Sequence, residues 1–168
     1  MLSACEAQGD KQRYEEIVKT YTLLPDHLQS LVFAMAQEAA GDGQTPFEKA
    51  TNIVNWLETN YTYALEVADQ PTDVDFVSCF LLQTKEGYCT YFASAMAVLC
   101  RMVGVPARYV EGYVANPGKD GIAYVTGLQA HAWVEVYFDG YGWLTFDPTP
   151  AEGSGGEEDG PQSAENDP

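Results

Sequence analysis

Positive charge and histidine are both scarce in this sequence. Eight Lys and Arg stand against 25 Asp and Glu, with only two His, for a formal net charge of −17. That balance argues against nucleic acid or an anionic membrane surface as a partner, because both are held by clustered positive charge. CxxC pairs are absent: the four cysteines, Cys5, Cys79, Cys89 and Cys100, are widely spaced. With so few histidines no zinc spacing is visible, and the acids are spread along the chain without the pattern of a calcium loop. Cys89 and Cys100 fall on one predicted helix about 16 Å apart by the helical rise, too far to share a disulfide. No run is long and apolar enough to span a bilayer, so this segment is not expected to insert into a membrane.

The chain has 168 residues, 46% of them hydrophobic and 12% aromatic. That suits one domain with a sizeable core. The acidic excess is uneven. Residues 152–168 carry six acids and no base, which leaves about −11 for the rest. The expected organisation is a flexible segment at 1–12, a folded domain at 13–150 and an acidic, disordered linker at 151–168. Leu2-Ser3-Ala4-Cys5 has the form of a lipoprotein cleavage box, but no apolar signal region precedes it. The expectation is a piece of a longer chain that starts and ends in linkers.

Helical signals come first. Tyr14–Tyr21 reads as a short helix. Asp26 reads as the N-cap of a helix over 27–40, with Leu28, Leu31, Val32, Met35, Ala36 and Ala39 at helical spacing and Gly41 at its end. His27, at its start, reads as solvated. Thr45-Pro46-Phe47-Glu48 is a capping box with proline in the first turn, opening a helix to about Asn60 that buries Phe47, Ala50, Ile53, Val54 and Leu57. Tyr61–Leu65 is extended, residues 69–73 form a loop, and Asp73–Leu82 reads as a short helix with Cys79 as core filling. From Phe92 to Val103 nearly every side chain is apolar or small, the mark of a helix buried all round. Gly104 and Pro106 stop it. Beyond Pro106 the period changes to two. Ala107–Ala115, Ala130–Phe138 and Trp143–Asp147 read as strands, the last two joined by a turn at 139–142. Helices followed by antiparallel strands predict an α+β domain, the Cys89 helix packed on a C-terminal antiparallel sheet.

Cys89 opens that central helix. The positive end of the helix dipole and the unpaired N–H groups of the first turn favour the reactive thiolate. A cysteine nucleophile needs a base, and the base needs an orienting group. His131 begins the second strand and Asp147 ends the third. If residues 138 and 143 pair across a four-residue turn, residue i faces residue 281 − i. His131 then lies opposite position 150 and Asp147 opposite Val134. The two fall on neighbouring strands near one end of the sheet, without contact being established. Glu111 and Glu135 are the other carboxylates close to His131 in sequence.

Gly87-Tyr88-Cys89, Val105-Pro106-Ala107-Arg108 with Gly112-Tyr113, His131-Ala132-Trp133-Val134-Glu135-Val136 and Trp143-Leu144-Thr145-Phe146-Asp147-Pro148-Thr149 resemble the bacterial transglutaminase-like family. The resemblance covers about residues 25–150. It implies a papain-like α+β fold and a Cys-His-Asp triad: Cys89 as nucleophile, His131 as general base and acid, Asp147 as orienting carboxylate. With no ligand spacing visible, no cofactor and no metal are expected. The Leu-Pro segment and the Thr45-Pro46 helix resemble the extracytoplasmic domain of a membrane-anchored branch. The Cys89 backbone N–H is the expected oxyanion donor. Gln83 is a second candidate, six residues before Cys89, at a spacing like that of the oxyanion glutamine in papain-like proteases. Trp133 and Trp143 read as core aromatics, Trp133 being also a candidate wall of the substrate cleft.

The expected function is acyl transfer or hydrolysis on glutamine side chains or peptide amides of a protein or peptide substrate, through a thioester. The alternatives are a cysteine protease of the same superfamily, or a scaffold module that kept the fold and lost the chemistry. Turnover is expected to survive exhaustive treatment with EDTA. A loss of activity that calcium or zinc restores, followed in a continuous assay of ammonia release, would contradict that expectation.

Overall fold

The computed structural model describes residues 4–150 apart from residues 70 and 72, with side chains from residue 11 onward. The Cys5 side chain and the acidic linker expected at 151–168 lie outside the described residues. In chain order the elements are α1 (Ala4–Tyr21), α2 (Ser30–Ala40), α3 (Pro46–Asn60), β1 (Thr62–Tyr63), α4 (Phe76–Cys79), β2 (Glu86–Gly87), α5 (Cys89–Met102), β3 (Ala107–Tyr113), β4 (Ala130–Phe138) and β5 (Gly142–Phe146). The fold is α+β, as expected. Strands β3, β4 and β5 form an antiparallel sheet in that order, and β1 and β2 form a small parallel pair that sequence reading did not anticipate. Among the described residues no helix is long and apolar enough to cross a membrane.

Helix α5 is the centre of the core. Phe92, Ala93, Ala95, Met96, Leu99 and Cys100 on it are fully buried. They meet Ala132, Val134 and Val136 of β4 on one side and Val32, Ala36, Ile53 and Leu57 of α2 and α3 on the other, in one hydrophobic cluster. Each large apolar side chain so buried contributes about 1.5–3 kcal/mol relative to exposure. Gly104, at φ +76°, ends the helix in the left-handed region where a Cβ would be strained. Arg101 ties this end down: its Nε donates to the Ala107 carbonyl at 2.9 Å and an Nη to the Leu23 carbonyl at 3.1 Å. Burial lowers its pKa, but the guanidinium is kept in place by these acceptors.

The opposite face of the sheet is covered by α1, which runs from Ala4 instead of beginning at Tyr14. Tyr14 lies 6.2 Å from Tyr137, and Tyr21 sits edge-on to Trp143 at 4.7 Å between ring centroids. Arg108 stacks over the Trp143 ring at 4.2 Å and pairs with Glu135. Trp143 is thus a packing residue under α1.

Several boundaries differ from expectation. Helix α2 starts at Ser30, and Asp26 does not cap it. The Gln29 N–H instead donates to the Oγ of the fully buried Ser78 at 3.3 Å, so a distant element settles where the helix begins. Its buried stripe is Val32, Ala36, Ala39 and Ala40, while Leu31 is 58% exposed. The Thr45 capping box forms as read, with Glu48 reaching back to the Thr45 and Gln44 N–H groups. Those bonds lower the Glu48 pKa. Phe47 is 54% exposed, against the burial expected, though its ring still packs on Phe138 and Phe146 at 5.8 and 5.9 Å. His27 is exposed, as read.

The helix expected over Asp73–Leu82 is α4, capped by Asp75 through the Ser78 N–H, and it continues as a π-helical turn over Phe80–Thr84. The wider turn buries both Phe80 and Leu81 and ends at Lys85, φ 55°. From there Lys85 and Gly87 accept the Thr62 and Ala64 N–H groups at 2.9 Å, joining β1 to β2 just before Cys89. Cys79 is fully buried, as read.

Phe80 touches the rings of Tyr61, Tyr91 and Phe92 at 4.9–5.6 Å. Phe80→Ala is expected to cost about 3–5 kcal/mol. Phe33→Ala, on the exposed side of α2, is expected to cost about 0.5 kcal/mol or less. Urea midpoints at constant slope measure both.

Candidate active site

Cys89 is the first residue of α5 and is half-buried. Two features bring it there. An added Cβ at Gly87 would stand 2.5 Å from Tyr91 Cγ, so only glycine lets the strand pass that close to the first turn of α5. Tyr88 occupies the N-cap without a side-chain cap. Its carbonyl takes the N–H groups of Tyr91 and Phe92, and no side chain closes off the start of the helix.

The hairpin β4–β5 brings the other two candidates together. Phe138 pairs with Gly142 and Val134 with Phe146, a register shifted by one residue from the pairing expected of a four-residue turn. The loop is three residues, Asp139–Tyr141, and both Gly140 and Gly142 have positive φ, +79° and +88°. A one-residue shift exchanges the faces of a strand. Continuing the observed register sets Asp147 opposite Trp133, on the face that carries His131, and not opposite the core residue Val134. His131 Nε2 and Asp147 Oδ2 are 2.6 Å apart. The other oxygen, Oδ1, accepts the Thr149 N–H at 3.0 Å. Sequence reading named Thr149 only as part of a motif and gave it no role, although Asp-x-Thr is the signal of a local turn in which an aspartate binds the backbone two residues on.

A carboxylate only accepts, so Nε2 carries the ring proton in the neutral imidazole and Nδ1 is left as an acceptor. Trp133 stacks on the His131 ring, 6.4 Å between centroids and 25° between planes. It lies across Gly112, where an added Cβ would be 2.5 Å from the indole. Trp133 thus backs His131 and is not among the residues that line the cavity shared by Cys89 and His131. Glu135 is taken by Arg108, and Glu111 accepts from the Tyr109 hydroxyl at 2.5 Å, which leaves Asp147 as the partner of His131.

Cys89 and His131 line one open cavity of about 660 Å³, with Tyr63, Leu65, Tyr88, Thr90, Glu111, Gly112, Tyr113, Leu128 and Ala132 among its walls. His131 and Asp147 also line an adjoining cavity of about 400 Å³ with Thr149. Gln83 lines neither. It is exposed on the π-helical turn. The Tyr109 phenol beside Cys89 is pushed up to about 12, first by burial and then by its bond to Glu111. The other two described cysteines are fully buried, and burial pushes the Cys100 thiol up to about 12. Among the described residues no three His, Cys, Asp or Glu side chains gather as a metal site.

Residues 34–148 match the protein family described as the transglutaminase-like superfamily. The chain is 43% identical over 137 residues to the protein YebA of Bacillus subtilis, covering 77% of this chain and 19% of that protein. It is 40% identical over 90 residues to a protein-glutamine gamma-glutamyltransferase of Pseudomonas aeruginosa, covering 52% and 13%. Its fold superposes on the periplasmic domain of TgpA from Pseudomonas aeruginosa with a TM-score of 0.68 at 30% identity, over 80% of this chain and 49% of that one. The chain thus spans a fifth or less of those curated relatives.

In a Cys5→Ser background, iodoacetamide is expected to label Cys89 at least tenfold faster than Cys79 or Cys100, read by peptide mass spectrometry over time. Equal rates would show that the Cys89 thiol has no special access or activation.

Proposed function

The chain belongs to the transglutaminase-like superfamily, and on that premise we propose that it is a cysteine-dependent acyltransferase or hydrolase acting on glutamine side chains of a protein or peptide. One observation carries the reading. The imidazole that shares a cavity with Cys89 is held by a carboxylate through Nε2 at 2.6 Å, with Nδ1 left as an acceptor. A structural histidine needs no such arrangement, whereas a base that must take and return a thiol proton does.

In this reading Cys89 gives its proton to His131 Nδ1, and the sulfur attacks the carboxamide carbon of a glutamine in the 660 Å³ cavity. The carbonyl oxygen becomes an oxyanion beside the uncapped start of α5, where the Cys89 N–H is the natural donor. Ammonia leaves with the proton from His131, and a thioester remains on Cys89. An attacking amine or water then gives one proton to His131. The C–S bond breaks and the proton returns to the sulfur. An amine leaves a crosslink, water a deamidated glutamate. A backbone amide in the same position would instead be cleaved, which makes peptidase activity the variant of the same chemistry. Asp147, fixed by the Thr149 N–H, stabilises the imidazolium and holds its tautomer.

The same proposal extends to location: an extracytoplasmic domain of a membrane-anchored protein. The likeness to a periplasmic domain supports it.

Steady-state kinetics of ammonia release, with a glutamine peptide shown by mass spectrometry to acylate Cys89, tests the triad. Cys89→Ala is expected to abolish turnover and keep the fold. His131→Ala should cost on the order of 10²–10⁴-fold, and Asp147→Asn less. The double variant His131→Ala with Asp147→Asn should match His131→Ala alone, because the members of a catalytic unit are not additive. If Cys89→Ala retained ammonia release, the reading would be wrong.

A further inference from the structure

We infer that Glu111 makes this site selective for a cationic amine acceptor, such as a lysine side chain, over neutral nucleophiles. The inference rests on the acyl-transfer reading above. Among the described residues, Glu111 is the only carboxylate lining the Cys89–His131 cavity, and no Lys or Arg lines it.

The backbone fixes where this charge sits. Glu111 pairs with Ala132, next to the Gly112–His131 pair, in the β3–β4 ladder. Ala132 belongs to the core face that packs on α5, so Glu111 and Tyr109, two residues apart, project toward the start of α5. Tyr109 borders Thr90 and Cys89 there, and its hydroxyl donates to Glu111. That single bond uses one donor. A carboxylate accepts at about four positions, and Glu111 is exposed to the cavity, so positions remain for an incoming ammonium. Were Glu111 only a fastener for Tyr109, a neutral amide acceptor would serve equally well. Facing the reacting thioester, its charge also concentrates cations from a solution that the acidic body of the chain already enriches in them.

The chemistry balances without a further reagent. An alkylammonium is drawn to Glu111 and loses one proton to solvent. The neutral amine attacks the thioester carbonyl: the C–N bond forms, and the second proton passes to His131 Nδ1. The C–S bond breaks, and the proton returns to the Cys89 sulfur. Water can take the same path but gains nothing from Glu111.

The test compares two acceptors on one acyl-enzyme: cadaverine, a dication at neutral pH, and hydroxylamine, which is neutral there. The readout is the ratio of kcat/KM for the two with a common glutamine peptide. Glu111→Gln, which keeps an oxygen for Tyr109, is expected to lower that ratio about tenfold, chiefly through KM for cadaverine. Glu111→Asp should restore part of it. Raising salt to about 0.5 M should bring the wild-type ratio toward that of the Gln variant. A ratio within twofold of wild type in Glu111→Gln, or an equal fall for both acceptors, would overturn the inference and leave Glu111 a positioning residue for Tyr109. If the wild type forms no Cys89 thioester at all, the acyl-transfer reading falls and this one with it. A thioester with an unchanged ratio sinks this one alone.

Discussion

Helix α5 has to be buried along its length and yet open at its first residue. Its apolar surface leaves it no stable place except between the sheet and the α2–α3 pair, where Phe92, Met96 and Leu99 lose all contact with solvent. A helix so enclosed has one free end, and Arg101 closes the other onto Ala107 and Leu23. The nucleophile candidate is thus placed by the core itself. The packing that buries the helix also fixes the direction of its dipole, with the positive end at the cleft, where the N-cap Tyr88 makes no side-chain cap.

The cavity then depends on what the strands bring to that end. The sheet is covered on one face by α5 and on the other by α1. Near the start of β4, Ala130, His131 and Ala132 line the cleft together with Glu111, Gly112 and Tyr113 from the end of β3. Of these the base candidate is His131. Trp133 stacks behind it and uses the gap at Gly112, and Asp147 holds its far nitrogen. The imidazole is restrained by a ring contact and a charged hydrogen bond, while the side facing the cavity stays free. Rigid support on one side and access on the other is what proton transfer at a fixed atom requires.

The distribution of thiols and acids points the same way. Cys79 and Cys100 lie in the apolar core, where burial raises the Cys100 pKa and keeps it protonated. Cys89 alone of the described cysteines meets a cavity. Glu135 is neutralised by Arg108 under α1, Glu48 is consumed in a helix cap, and Asp147 is held between His131 and Thr149. Glu111 has a single phenol for company in the cleft. It is the acidic group whose charge the fold leaves open toward the site.

Much of this was legible without coordinates. The all-apolar run from Phe92 to Val103 required a central helix, the capping box at Thr45 fixed the start of α3, and the change of period after Pro106 marked the sheet. These are local signals, carried by neighbouring residues. The three candidate site residues were legible as well, from their motifs and residue types. What the sequence could not settle were relations between distant parts of the chain. Ser78 takes the Gln29 N–H and delays the start of α2. A π-helical turn continues α4 and leaves Gln83 exposed on it. Gly112 admits the Trp133 ring, which stacks on His131. Most of all, the three-residue loop with Gly140 and Gly142 at positive φ sets the register of β5. A turn one residue longer, equally consistent with the residues present, would face Asp147 toward the core. A strand's two faces alternate at every residue, so composition determined which side chains the site would use, and only the folded hairpin decided that His131 and Asp147 meet.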